Sequence, residues 1–216
     1  MPDPSDRPNV IWVFGDQHRA QAMSCMQDPN VQTPHLDRLA TTGAHFTSAV
    51  AGMPLCCPFR GSLITGLYPH NCVPGHECPL DPSTATIAHA MKDAGYHTAW
   101  FGKWHLDGWH ERNGRAAMHI VAPERRGGFD RWVGYDNNNA QWDCWVHGGE
   151  GDEAFHHRLP GYETDCLTDM LLEHIRHRAS DDSGQPFFAA LSVQPPHDPY
   201  LAPPEYMERH NPATLQ

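Results

Sequence analysis

The sequence lacks a long apolar run and has few basic residues. No stretch of its 216 residues approaches the length of a membrane-spanning helix, and the first seven residues, MPDPSDR, lack the apolar segment of a signal peptide. Fifteen lysines and arginines stand against 26 aspartates and glutamates, so the net charge is −11. This charge argues against nucleic acids and anionic membranes as partners.

The cysteine and histidine patterns indicate neither a disulfide framework nor a zinc site. Seven cysteines, an odd number with no secretory signal, fit a reducing cytoplasm better than a disulfide framework, so we expect a cytoplasmic protein. The 17 histidines are scattered without the spacing of a zinc site. The length suits one large domain, or one domain and a further piece, and the 18 glycines and 20 prolines indicate many loops.

The apolar pattern predicts an α/β fold. Residues 9–15, 97–101 and 186–193 are runs of aliphatic, β-branched and aromatic side chains, which predict strands, and the first is expected to be buried on both faces of a parallel sheet. Helical spacing is found between them at 83–95, with Ser83 as the expected cap, and at 164–179. The order strand, helix, strand indicates βαβ units.

Less regular segments complete the predicted organisation. We expect residues 1–8 to be disordered and residues 9–216 to form the folded part, with a short strand at 46–50. Residues 107–162 are rich in glycine, histidine, tryptophan and asparagine and have poor periodicity, so they are predicted to be a loop-rich insertion that shapes a substrate pocket.

The stretch 55–66, with the sequence LCCPFRGSLITG, predicts a loop that turns into a helix. Pro58 suits a first helical turn, and Gly66 can end the helix in a left-handed conformation. A cysteine at a helix N-terminus, with Arg60 nearby, is expected to have a lowered thiol pKa and to lie where an anion is favoured. The alternative interpretation is a buried cysteine pair in a turn.

Polar residues follow the three predicted strands: Asp16 and Gln17, Lys103 and His105, and His197. Ligands of open α/β sheets bind at the carboxyl ends of strands. The first pair offers oxygen ligands for a hard cation, although an aspartate there also suits a turn. Because side chains alternate along a strand, Lys103 and His105 point to the same side of the sheet. They either bind an anionic oxygen together or are a solvated surface pair. The histidine lies between prolines that would hold it rigidly.

The stretch around Cys56 has the pattern Cys-x-Pro-x-Arg, followed by Leu63 and Thr65-Gly66, and it resembles the signature of the type I, formylglycine-dependent sulfatases of the alkaline-phosphatase-like superfamily. In that family a separate enzyme oxidises the first cysteine to formylglycine. The register points to Cys56, because Cys57 would need a proline where Phe59 stands.

Three other segments are similar to sulfatase motifs. Asp16-Gln17 resembles the family's first metal-binding pair, in a variant seen in some bacterial sulfatases and phosphonate monoester hydrolases. Gly-Lys-Trp-His-Leu at 102–106 and Pro-His-x-Pro-Tyr at 196–200 resemble segments that touch the nucleophile, the sulfate or the leaving group. The resemblance covers nearly the whole chain but only about the first half of the family's catalytic domain.

The resemblance implies a fold and a set of ligands. The fold is a mostly parallel central sheet flanked by helices, incomplete on its C-terminal side. A divalent metal, with Ca²⁺ as the first choice and Mg²⁺ or Mn²⁺ as alternatives, would be held by Asp16, Gln17 and the modified Cys56. The family's later half supplies a further metal-binding pair and usually a second lysine, and neither is found before Gln216.

The resemblance also implies a mechanism and partners. The hydrated formylglycine attacks a small-molecule sulfate ester, Arg60 and Lys103 hold the developing negative charge, and His197 protonates the departing alcohol. His105 takes a proton when sulfate is expelled. The formylglycine-generating enzyme is the expected protein partner.

Three alternatives remain open from the sequence. A phosphonate or phosphate ester hydrolase of the same superfamily would use the same nucleophile and metal. A truncated, non-catalytic remnant would explain the missing second half of the site. A redox protein based on Cys56 and Cys57 is disfavoured, because vicinal cysteines are poorly placed for a Cys-x-x-Cys mechanism.

Overall fold

The computed structural model describes residues 7–110 and 113–216, and within them six strands form one sheet in the order β1-β6-β2-β3-β4-β5. The strands are β1 (Val10–Gly15), β2 (His97–Lys103), β3 (Arg131–Tyr135), β4 (Trp145–Gly148), β5 (Phe155–Arg158) and β6 (Phe187–Val193). Strands β1, β6, β2 and β3 run parallel, while β4 and β5 are antiparallel additions at one edge. The predicted, mostly parallel α/β sheet is confirmed.

Helices cover both faces of this sheet. They are α1 (Pro34–Thr42), α2 (Cys56–Thr65), α3 (Pro69–Cys72), α4 (Ile87–Asp93), α5 (Glu163–Ala179) and α6 (Pro204–Met207). Helix α5 packs on β6 and β2, where Leu167 joins Phe101 and Leu191 in one apolar core. On the other face Ile64 of α2 and Trp100 of β2 belong to a second core. In the part of the chain that the structure describes, no helix has the length and hydropathy of a membrane span.

Strand β1 is buried on one face only, so the prediction of a strand buried on both faces is wrong. Trp12 and Phe14 pack against the core that contains Trp100, whereas the side chains of Ile11 and Val13 are 49% and 59% exposed. The physical reason is position, because β1 is the edge strand and α5 covers its neighbours β6 and β2 instead.

Two predicted elements differ from the structure. The helix expected at 83–95 begins at Ile87, because Thr86, and not Ser83, accepts a hydrogen bond from the Ala88 amide and forms a capping box with His89. The strand expected at 46–50 does not form, and Phe46 is 80% exposed in a loop. Among the described residues, 46–50 have no neighbouring strand to which their backbone could hydrogen-bond, and strand propensity alone does not form a sheet.

The segment 107–162 is more regular than the predicted loop-rich insertion, because it contributes β3, β4 and β5 to the sheet. Buried aromatic side chains such as Trp132 anchor these short strands. The predicted disorder of residues 1–8 lies outside the described residues for positions 1–6. Pro8 is in contact with the folded part, because its carbonyl accepts a hydrogen bond from the Tyr96 hydroxyl at 3.1 Å.

The exposed apolar face of β1 predicts self-association of the isolated chain. Replacing both Ile11 and Val13 by Thr should reduce association, because it removes apolar surface at a sheet edge while keeping β-branched side chains. Sedimentation velocity over a concentration series measures the effect. The matched control is Val50→Thr, which changes an even more exposed valine in a loop. Equal association of the double variant and the wild type would contradict this prediction.

Candidate active site

Three parallel strands end side by side at one edge of the sheet. Strand β1 leads to Asp16, whose backbone N–H donates a hydrogen bond to the Val193 carbonyl of β6 at 2.9 Å. Strand β2 ends at Lys103, and helix α2 begins with Cys56 above the same edge. The structure therefore brings together Asp16, Lys103 and Cys56, three of the residues that the sequence singled out.

Asp16 is the centre of this cluster. One carboxylate oxygen, Oδ2, lies 2.7 Å from Lys103 Nζ and 3.2 Å from an Arg60 guanidinium nitrogen, and the other, Oδ1, lies 3.5 Å from Cys56 Sγ. Burial alone would raise the pKa of Asp16, but the charges of Arg60 and Lys103 outweigh it and hold the pKa well below its usual range. The carboxylate is therefore ionised.

Arg60 is fixed from several sides. It lies one helical turn after Cys56, so both side chains are on one face of α2. Its guanidinium donates to the Lys103 carbonyl at 2.7 Å and to the Ser192 hydroxyl at 2.8 Å, and it lies over the ring of Phe14. The cation is consequently held against the ends of β1, β2 and β6.

Cys56 is the first residue of α2 and is partly buried. Burial raises the pKa of its thiol, and the neighbouring Asp16 carboxylate adds to this effect while Lys103 and Arg60 oppose it. The expected lowering of the thiol pKa is therefore wrong, because the thiol is removed from water and the Asp16 carboxylate, which follows β1, lies beside the sulfur. The protonated thiol donates to Asp16.

Cys57 points away from the cluster and is fully buried in the apolar core. Its sulfur accepts a hydrogen bond from the Glu77 amide at 3.3 Å. Burial raises the pKa of the Cys57 thiol to about 12. The interpretation of a packing cysteine thus describes Cys57, and only Cys56 faces the cluster.

His105 lies just past the end of β2 in the left-handed region, with φ 55°, and its side chain is 3% exposed. Burial, reinforced by the charges of Lys103 and Arg60, lowers its pKa to about 2, so the imidazole is neutral. The ring packs edge-on against His76. The buried Asp136 carboxylate accepts the backbone N–H groups of the next two residues and so fixes this turn.

His197 is held on the turn that follows β6. Its amide donates to the Gln194 carbonyl at 3.0 Å, and its own carbonyl accepts from Gln141 Nε2 at 3.2 Å. A Cβ atom at Gly15 would come within 2.7 Å of the Pro195 carbonyl, so the glycine allows this turn to approach β1. Among the described residues His197 makes no hydrogen bond to Asp16 or Cys56.

The described residues do not complete a metal site. No group of three or more histidines, cysteines or acids among them could hold a metal ion, and Gln17 is exposed. The oxygens of Asp16 and Gln17 suit a hard cation, but Ca²⁺ takes six to eight such ligands and Mg²⁺ six. This pair can provide only part of a coordination shell.

The arrangement favours an anion next to a nucleophile position. Two buried cations, Lys103 and Arg60, share one carboxylate and leave a formal charge of +1 in a chain whose net charge is −11. The Nδ1 atom of His105 is buried and has no hydrogen-bond partner among the described residues, so it is available to a bound molecule.

Comparisons with known proteins agree with this geometry. The family model described as Sulfatase matches residues 8–214. An ulvan-active sulfatase of Formosa agariphila is 34% identical over an alignment of 229 positions, gaps included, that covers 99% of this chain and 40% of that protein. The chain thus spans less than half the length of this relative.

Solved structures give the same result for the fold. The YidJ protein of Bacteroides fragilis superposes with a TM-score of 0.82 at 30% identity, over 96% of this chain and 48% of that one. The phosphonate monoester hydrolase of Agrobacterium radiobacter superposes with a TM-score of 0.66 at 26% identity, over 97% of this chain and 45% of that one.

The ion pairs of Asp16 predict a large loss of stability when its charge is removed. Asp16→Asn should lower the free energy of unfolding by about 3 kcal/mol or more, because it leaves two buried cations without their carboxylate. Urea denaturation measures this. The control is Asp181→Asn, which breaks a more exposed pair with Arg178 and should lower the free energy of unfolding far less than Asp16→Asn does. Equal losses in the two variants would contradict the central role of Asp16.

Proposed function

Since this chain belongs to the sulfatase family, we propose that it carries the nucleophile-bearing part of a sulfuric ester hydrolase, with Cys56 as the residue that is oxidised to formylglycine. The observation that supports this most is the position of Cys56 beside Asp16, with Arg60 and Lys103 completing a buried cluster. Because the chain spans 40% to 48% of the relatives described above, activity and substrate are part of the proposal.

The buried cations would bind the ester. The positive charges of Lys103 and Arg60 lie at the strand ends, where they would bind the sulfate oxygens. They would also stabilise the negative charge that develops on those oxygens during the reaction. The formylglycine, once hydrated, would supply the hydroxyl group that attacks sulfur. Asp16 Oδ1, which accepts from the thiol in the unmodified chain, is positioned to orient that hydroxyl group.

Two histidines would transfer protons during the reaction. His105 would accept a proton when sulfate is released, through its Nδ1 atom, which has no hydrogen-bond partner among the described residues. His197, on the rigid turn after β6, would protonate the departing alcohol.

The remaining parts of the site concern a metal and a maturation enzyme. Asp16, Gln17 and the modified Cys56 would contribute oxygen ligands to a divalent cation, Ca²⁺ first and otherwise Mg²⁺ or Mn²⁺, and no further cluster of metal ligands is found among the described residues. Such an ion polarises the ester oxygens when it is bound. The formylglycine-generating enzyme is the proposed partner in a cytoplasmic setting.

Co-expression with a formylglycine-generating enzyme tests the nucleophile. Peptide mass spectrometry should find the –CH2–SH side chain of position 56 converted to the aldehyde –CHO, with sulfur and two hydrogens lost and one oxygen gained, in the wild type and in Cys57→Ala, but not in Cys56→Ala. Hydrolysis of an aryl sulfate should follow the same order, because only the first cysteine faces Asp16. Cys57→Ala is the matched control, since it removes the neighbouring thiol.

Two results would count against the proposal. Aryl sulfate turnover by Cys56→Ala would exclude this nucleophile. An unmodified Cys56, together with no turnover by the wild type in added Ca²⁺, Mg²⁺ or Mn²⁺, would favour the non-catalytic remnant, in which the cluster only binds anions.

A phosphonate ester hydrolase is the second candidate. It is supported by the Asp16-Gln17 pair and by the similarity to the Agrobacterium radiobacter phosphonate monoester hydrolase. We expect the modified chain to turn over an aryl sulfate at least about tenfold faster than the matching aryl phosphate, because a formal +1 charge fits a monoanionic sulfate ester better than a dianionic phosphate monoester. An aryl phosphonate monoester is also a monoanion, so it is assayed beside them to compare the two chemistries at equal charge. Parallel assays with the same leaving group measure the ratio, and turnover of the phosphonate alone would replace the sulfatase assignment.

A further inference from the structure

Glu163 is a buried acid with no part in the chemistry described above. It is the first residue of α5, and its side chain is fully buried. The Tyr135 hydroxyl lies 3.2 Å from both of its carboxylate oxygens, and the Gln194 backbone N–H donates to Oε1 at 2.7 Å. Among the described residues no lysine or arginine forms an ion pair with it. Burying a carboxylate without a paired cation is costly, so packing alone does not explain this choice of residue.

The contacts of Glu163 lead to His197 by two routes. On the first route the backbone N–H of Gln194 donates to Glu163, and the Gln194 carbonyl accepts the backbone N–H of His197 at 3.0 Å. This route holds the backbone of His197, whose Nδ1 atom itself lies 2.6 Å from the Asp198 carbonyl oxygen. On the second route the Glu163 amide donates to the Gln141 carbonyl at 3.0 Å, and Gln141 Nε2 donates to the His197 carbonyl. Both the backbone and the side chain of Glu163 therefore support the same turn.

The other end of the network reaches the β2 exit. Tyr135 pairs with Lys103 in the parallel register of β3 and β2, and its carbonyl accepts the Trp104 amide at 2.7 Å. Glu163 thus lies between the strand end that carries the proposed anion-binding lysine and the turn that carries the proposed proton donor. A single buried side chain connects the two.

We propose that Glu163 is a positioning residue for His197 and that it acts through the backbone N–H of Gln194. This inference rests on the proposed function only for the role of His197 as the proton donor. The hydrogen-bond network itself belongs to the described chain.

The ionisation state of Glu163 gives the proposal a specific signature. Burial raises its pKa to about 7, while the Gln194 amide and the Tyr135 hydroxyl oppose the rise. The titratable groups that face it are Tyr135 on β3, Cys144, the adjacent Tyr162 and, at longer range, Lys103. A carboxylate accepts a stronger hydrogen bond than a carboxylic acid, so the Gln194 amide should be held more tightly as the pH rises through about 7.

Amide hydrogen exchange of the 216-residue chain, followed by NMR, tests the network without requiring activity. The protection factor of the Gln194 amide should rise about tenfold between about pH 6 and pH 8, and that of the His197 amide should rise with it. In Glu163→Gln both profiles should be flat. The Leu80 amide, bonded to the Leu106 carbonyl, is the internal reference and should show neither change. A flat wild-type profile would overturn the proposal even if the variant failed to fold.

Leaving-group dependence then tests the positioning of the proton donor. If the modified chain hydrolyses esters, Glu163→Gln should slow an alkyl sulfate about tenfold and a nitrophenyl sulfate less than about twofold, because only the poor leaving group needs a well-placed acid. Equal slowing of both substrates would indicate a general structural effect and overturn the positioning role. Absence of hydrolysis by the wild type would instead contradict the proposed function and leave the exchange result to decide about Glu163.

Discussion

The pairing of one buried carboxylate with two buried cations determines the architecture of the site. Asp16, Arg60 and Lys103 come from β1, α2 and β2, and each would be costly to bury without the others. Because Arg60 also binds the Ser192 hydroxyl, the same interaction joins the ends of three strands. The chemical groups are thereby fixed by the sheet itself, and a bound anion would meet charges that are already in position.

Much of this arrangement could be predicted from the sequence. Apolar runs located three neighbouring parallel strands, β1, β6 and β2, and the polar residues at their ends had to meet at one edge because parallel neighbouring strands end together. The pattern of Cys56, Pro58 and Arg60 predicted the helix α2, whose first residue lies at the same edge. The fold class was therefore predictable, as was the grouping of Asp16, Lys103 and Cys56.

What could not be predicted depends on long-range contacts that have no local pattern. The raised thiol pKa of Cys56 comes from burial and from a carboxylate 40 residues away in the sequence, and the half-exposed β1 from the order in which the strands pair. Glu163 is equally hidden, because an acid at a helix start is ordinary and only its partners, Tyr135 and Gln194, distinguish it. Charge and hydrogen-bond networks of this kind depend on tertiary packing, which periodicity does not report.

The two vicinal cysteines lie in different surroundings, and this difference would protect the aldehyde that we propose at position 56. A neighbouring thiol is the group best placed by proximity to add to such an electrophile and block it. Here Cys57 faces the apolar core, accepts the Glu77 amide on its sulfur and has a pKa of about 12, so its reactive thiolate form is essentially absent at neutral pH. If Cys56 is converted to the proposed aldehyde, the first turn of α2 would keep the neighbouring thiol of Cys57 away from it and so protect it from self-inactivation.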